Sequence, residues 1–222
     1  DEDRLTLTDT QDITEEAVTD SYFQDLDDMA AVAINTPDDD EYSGGRRASS
    51  IKINDNRFCV GAVVTIVPGE TSTVESPNGI LTVDFGTIGC TDSRGNTRSG
   101  KLIFTYNKRR FQPGSTITTT TDNYIINGVR LEGTRTLTNV AGSTSDAPKF
   151  NAVLDNGKAT FLADESVATR ESNITWQWSR GATAAEDFLT IDQSSVANGT
   201  TRCGRDYSVS LSEALKYKRN CG

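Results

Sequence analysis

From about residue 50 onward, apolar and polar residues alternate with a period of two, and Asn-Gly pairs punctuate the alternation at 78–79, 127–128, 156–157 and 198–199. A period of two puts successive side chains on opposite faces of a strand. Asn-Gly tolerates positive φ at both positions and so closes the two-residue hairpin that joins antiparallel strands. Around Asn127-Gly128 the pairing Ile126–Val129, Tyr124–Leu131, Asp122–Gly133 and Thr118–Leu137 gives a mostly apolar face, while Asn123–Glu132, Thr121–Thr134 and Thr119–Thr136 give a polar one. Around Asn156-Gly157 the pairing Asp155–Lys158, Leu154–Ala159, Ala152–Phe161 and Phe150–Ala163 also segregates the faces. Further strands are expected at 50–53, 59–67, 80–85, 101–106, 175–179, 207–211 and 215–217.

The N-terminal part has a different period. Val18, Tyr22, Leu26, Met29 or Ala30, and Ala33 recur at the three-to-four spacing of one helical stripe, predicting a helix over 14–34. Asp12 or Thr14 can cap it, Glu15 and Glu16 suit the positive end of its dipole, and Pro37 stops it. Asp20, Asp27 and Asp28 are assigned to the opposite, solvated face. The fold class expected is mainly β, an antiparallel meander forming a sandwich or open barrel, with this one N-terminal α-helix packed on it. The division expected is an acidic leader with its helix over 1–45 and a β domain over 46–222. No composition break calls for a second β domain.

Charge separates the same two parts. Residues 1–45 carry fifteen acids against Arg4 alone, whereas the remainder carries seventeen acids and twenty-one bases. The block Asp38-Asp39-Asp40-Glu41 suits a solvated loop better than a calcium site, because no calcium-loop motif accompanies it. Overall repulsion from phosphate argues against nucleic acid, and the short Lys108-Arg109-Arg110 run reads as a turn. The sequence has no histidine, which excludes Ser-His-Asp catalysis and His-ligated metals. No cofactor and no metal site are expected.

Four cysteines, Cys59, Cys90, Cys203 and Cys221, lack the close pairing of a zinc or redox motif. In a β-type chain they point to disulfides and an oxidising compartment. Of the three connectivities, Cys59–Cys90 is favoured because it clamps two strands around a turn-rich segment, leaving Cys203–Cys221 by elimination.

Three candidate sites emerge. Trp176 and Trp178 lie two apart on one strand face and can form a platform for sugar rings, or can belong to the core. Asp84 and Asp122 are two carboxylates of the kind a glycosidase requires, although Asp122 is better used in a structural ion pair with Arg135, which lies diagonal to it. The Thr118–Thr121 run reads as an ordinary polar strand face.

Part of the chain also resembles a family. Leu81-Thr82-Val83-Asp84-Phe85-Gly86, Gly89-Cys90-Thr91-Asp92, Gly95, Arg98, Gly100, Phe111-Gln112-Pro113-Gly114 and the segment Asn123-Tyr124-Ile125-Ile126-Asn127-Gly128-Val129-Arg130-Leu131-Glu132-Gly133-Thr134 are similar to those of Bacteroidetes-type cell-envelope lipoproteins. The resemblance covers about half the chain. It implies export, a lipidated cysteine upstream of Asp1 with an acidic spacer, and a β-rich body, and it brings no activity. Relatives carry a second Cys-to-Cys β unit after a segment like 216–222. Either the partner of Cys221 lies beyond Gly222, or Cys203 takes its place.

The function expected is therefore that of a surface-tethered extracytoplasmic β domain with a binding or structural role in the cell envelope. The alternatives are a carbohydrate-binding module using Trp176 and Trp178, and a carboxylate-only glycoside hydrolase. The partner expected is an extracellular ligand, a glycan among the candidates, with the membrane reached only through the upstream lipid anchor. The protein itself is expected to be a monomer.

Overall fold

The structure, a computed structural model, describes residues 7–37, 48–183 and 186–218. Among the described residues, one helix, α1 (Leu7–Asn35), precedes thirteen strands: β1 (Ser49–Ile51), β2 (Val63–Pro68), β3 (Gly79–Asp84), β4 (Cys90–Thr91), β5 (Thr97–Tyr106), β6 (Thr116–Ile126), β7 (Val129–Asn139), β8 (Lys149–Phe161), β9 (Ser166–Ser179), β10 (Phe188–Ile191), β11 (Val196–Thr200), β12 (Asp206–Ser210) and β13 (Leu215–Lys218). They form one open antiparallel sheet in the order β1-β2-β3-β5-β6-β7-β8-β9-β10-β13, with β4 on β5 and the β11–β12 pair on β9. The fold is thus the mainly β meander with one helix that the periodicity predicts. A single core forms between the concave face of the sheet and α1.

Of the four Asn-Gly pairs, only Asn127-Gly128 makes the two-residue hairpin, with Ile126 paired to Val129. Asn156-Gly157 is not a turn: β8 runs straight through it, and Leu154 and Ala159 pair with β7 and β9 instead of each other. Asn198-Gly199 likewise lies inside β11. The positive φ that Asn156 accepts (53°) serves a β-bulge.

That bulge belongs to a line of them. The register shifts at Ser99/Lys101 in β5, Thr120/Ile125 in β6, Glu132/Thr134 in β7 and Leu154/Gly157 in β8. Positive φ occurs at each step, at Gly100 (76°), Asn123 (49°), Gly133 (123°) and Asn156. The bulges abut across strands: a Cβ at Gly100 would lie 2.1 Å from the Asn123 carbonyl oxygen, and one at Gly133 would lie 2.9 Å from that of Asn156. Each bulge adds local twist and bend, and four in adjacent strands curl the sheet around the helix. The β6 bulge also corrects the expected register. Ile117, not Thr118, pairs with Leu137, so Thr119 turns inward and is buried beside Arg135.

The helix begins about two turns before the expected start, so that Thr14, expected as a cap, lies inside it. Its buried stripe is Thr19, Phe23, Leu26, Asp27, Met29, Ala30, Ala33 and Ile34, whereas Val18, expected in the core, is exposed. The stripe is therefore rotated toward the acids, which pair with Arg98, Arg135 and Arg170 of the sheet. The Asp38–Glu41 block lies outside the described residues.

Cys59 and Cys90 form the expected disulfide, with their Cα atoms 6.0 Å apart. Replacing both with serine is expected to cost about 3–4 kcal/mol, because the unfolded chain regains the freedom of a 31-residue loop. Equilibrium urea unfolding of the double serine variant measures this, and an unchanged midpoint would show that the bridge does not contribute to stability.

Candidate functional site

Cross-strand pairing arranges the concave side chains in rows. One row runs Asn139–Phe150–Trp176–Ile191–Leu215 across β7, β8, β9, β10 and β13, and the next runs Trp178–Leu189–Tyr217. Burial falls along the first row. Asn139 and Phe150 are 1% and 3% exposed, Trp176 and Ile191 are half-buried, and Leu215 is 49% exposed. The second row ends on Tyr217, 59% exposed. The main packing of α1 falls on β3, β6 and β7, and on β9 its acids reach Arg170, so the Trp176–Ser179 end of β9 with β10 and β13 carries the apolar face of the sheet beyond the helix. Half-exposed rings in a contiguous apolar patch are the usual composition of a binding surface.

Trp176 and Trp178 lie on one face, as their spacing predicts, but they are not equivalent. Trp176 stacks on Phe150 with centroids 5.7 Å apart and rings 29° from parallel, and it packs against the core. Phe111 meets the edge of Phe150 from the β5–β6 loop, and the Arg110 guanidinium lies 5.3 Å from the Phe150 centroid. Burial pushes the Arg110 pKa down, opposed by nearby Asp27 and Asp28. Trp178 is held differently: its indole N–H donates to Asp187 at 3.3 Å, and Asp187 accepts the Gly181 N–H at 2.9 Å. Trp178 thus presents a ring fixed by a carboxylate at the rim, a geometry suited to stacking against a flat apolar surface.

The Lys108-Arg109-Arg110 run does mark a turn, between β5 and β6. Arg109 N–H donates to Gln112 Oε1, and Lys108 Nζ to the Pro113 carbonyl.

Charged side chains of the concave face form a second constellation. Arg98 bonds Asp25 in a fork, with Nη2 to Oδ1 at 3.0 Å, and also donates to the Tyr124 hydroxyl. Arg135 bonds Asp27 at 2.8–3.2 Å, and Arg170 bonds Glu16 and Asp20. Burial alone would lower the pKa of Arg98 and Arg170, but the helix carboxylates outweigh it and hold both above the ordinary value. Burial raises the hydroxyl pKa of Tyr124 and of Tyr207, which lies beside Arg170. Every one of these arginines is occupied by an acid of α1, so the cluster clamps the helix and offers no open anion site.

This overturns the pairing expected for Arg135. Its partner is Asp27, which was assigned to the solvated helix face, while Asp122 is exposed beside Asn123, whose amide donates to it at 2.9 Å. The β6 bulge at 122–123 moves Asp122 out of the inward parity on which the expected pair depends. The signal for the real partners was present in the sequence: Glu16, Asp20, Phe23 and Asp27 recur at the spacing of one helix face.

Asp84 and Asp122 do share a row, on either side of Lys101. Lys101 Nζ lies 3.3 Å from Asp84, which also accepts the Gly86 N–H at 2.8 Å. The two acids therefore flank a cation on an open sheet surface, which is not the arrangement of an acid and a nucleophile facing one bond. Cys203 sits in the β11–β12 turn, 3.7 Å from Glu15, and Cys221 lies outside the described residues. Among the described residues, no group of three or more His, Cys, Asp or Glu side chains is placed to hold a metal ion. No helix among them is long and apolar enough to cross a membrane.

No family model, curated protein or solved structure matches the chain.

Proposed function

We propose that this chain is an extracytoplasmic binding domain of the cell envelope, tethered through its acidic leader, with the β9-β10-β13 wing as its ligand surface. The observation that carries the reading is the burial gradient along Phe150, Trp176, Ile191 and Leu215. A core face of the sheet runs out from under its helix and stays apolar. A patch of this kind is costly in water unless something covers it. The Cys59–Cys90 disulfide supports an oxidising compartment. Aromatic rings at the two ends of the row Trp178–Leu189–Tyr217, with Asp187 as a hydrogen-bond acceptor beside Trp178, favour a glycan as the ligand.

Intrinsic tryptophan fluorescence titrated with soluble cello-, xylo-, malto- and chito-oligosaccharides tests this. A saturable change with at least one series is expected. Trp178→Ala should weaken binding about tenfold, the loss of one stacking contact, while leaving the melting temperature near that of the parent. Flat titrations with all four series would remove the glycan as ligand.

A further inference from the structure

The wing ends in an edge strand, and the order of hydrogen bonds shows which backbone groups it leaves open. Trp178 N–H donates to the Pro148 carbonyl, and Asp192 N–H to that of Thr175. Bonded and non-bonded pairs alternate along an antiparallel ladder, so Leu189 and Ile191 aim their amides at Tyr217 and Leu215 of β13. Lys216 and Lys218 therefore turn their N–H and C=O groups to the outer side, where β13 has no neighbouring strand among the described residues.

The two faces of this edge differ. On the concave side, Leu215 and Tyr217 end apolar rows that continue inward through Ile191 and Trp176, and through Leu189 and Trp178. On the convex side, Lys216 ends the row Lys149–Gln177–Thr190–Lys216, and Lys218 follows Ser179 and Phe188. A further strand in register would place alternate residues over Leu215 and Tyr217 and the intervening ones beside the lysines. Like charges directly opposite are unfavourable. A second copy pairing through its own β13 would bring lysine against lysine, which is the usual protection of an edge against self-association. The same lysines attract a strand with carboxylates at those positions.

We infer that β13 is a docking edge for an extended peptide strand of another protein, with apolar residues alternating with acidic ones. Main-chain hydrogen bonds to Lys216 and Lys218 supply the pairing. Leu215 and Tyr217 select the apolar positions, and the two ammonium groups select the acidic ones. This inference stands on the backbone edge and the convex lysines and does not require a glycan on Trp178.

The probe is a blocked seven-residue peptide of alternating Glu and Val, compared with a block-sequence peptide of the same composition and with an alternating Lys and Val peptide. Calorimetry measures binding, and amide hydrogen exchange of Lys216 and Lys218 reports pairing at the edge. The alternating Glu/Val peptide is expected to bind at least tenfold more tightly than either control and to slow exchange at both amides. Lys216→Pro removes an outward donor without breaking a bond to β10 and should abolish the protection at Lys218. Should that variant fold poorly, the Lys216→Glu/Lys218→Glu variant should reverse the preference in favour of the Lys/Val peptide. Equal binding of the alternating and block peptides, or binding without protection of the two amides, overturns the inference. If oligosaccharides bind and the peptides do not, the edge inference falls and the ligand surface proposed above survives.

Discussion

Deleting residues 1–36 is expected to leave a chain with no cooperative thermal transition. Helix α1 forms one wall of the core and is not a cover laid over a finished sheet: Phe23, Leu26, Met29 and Ile34 are each at most 3% exposed against the concave face. Burial of four such side chains contributes roughly 6–12 kcal/mol, as much as the whole net stability of a typical domain, about 5–15 kcal/mol. The deletion also leaves Arg98, Arg135 and Arg170 facing the concave surface without Asp25, Asp27, Glu16 and Asp20. Circular dichroism on heating provides the measurement. A truncated protein that melts at the parental temperature would show that the sheet is stable without its helix.

A single substitution, Asp27→Ala, is expected to destabilise the protein by about 3–5 kcal/mol. The Arg135 side chain is 5% exposed and that of Asp27 is 12% exposed, so removing the carboxylate strands a charge that water cannot reach. An uncompensated buried charge costs far more than the net worth of the pair. Replacing both partners with apolar residues, as Asp27→Leu with Arg135→Met, is therefore expected to recover most of the loss. Urea unfolding of the two single variants and the double variant gives the coupling between the sites. A loss below about 1 kcal/mol for Asp27→Ala would mean that the pair is solvated in solution.

The two perturbations differ in how visible their causes were before the fold was known. The apolar spacing of Leu26, Met29, Ala30 and Ala33 marks a docked helix directly, because a periodic stripe has no other use in water. That Asp27 belongs to the same stripe is legible only as a spacing. Carboxylates on an amphipathic helix normally face solvent, and the contrary assignment requires Arg135 from a strand more than a hundred residues away. The same limit applies to Asp122. Its expected partner followed from an unbroken alternation in β6, and a single bulge at 122–123 changed its direction.

Period, turn chemistry and cysteine count carried the class of the fold, its local antiparallel connections, the hairpin at Asn127-Gly128 and the Cys59–Cys90 bridge, because each depends on residues near in sequence or on one dominant physical preference. Tertiary structure alone decided which Asn-Gly pairs turn the chain and which bend it, since Asn156 and Asn127 adopt nearly the same φ, 53° and 50°, in a bulge and in a hairpin. Whether the strand continues past such a residue depends on the neighbouring strands that pair on both sides of it, as β7 and β9 do with β8. Tertiary structure also decided where the apolar face outruns the helix. The sequence marks Trp176 and Trp178 as one face, but how far each is covered depends on the reach of α1 across the curled sheet, which the line of bulges sets.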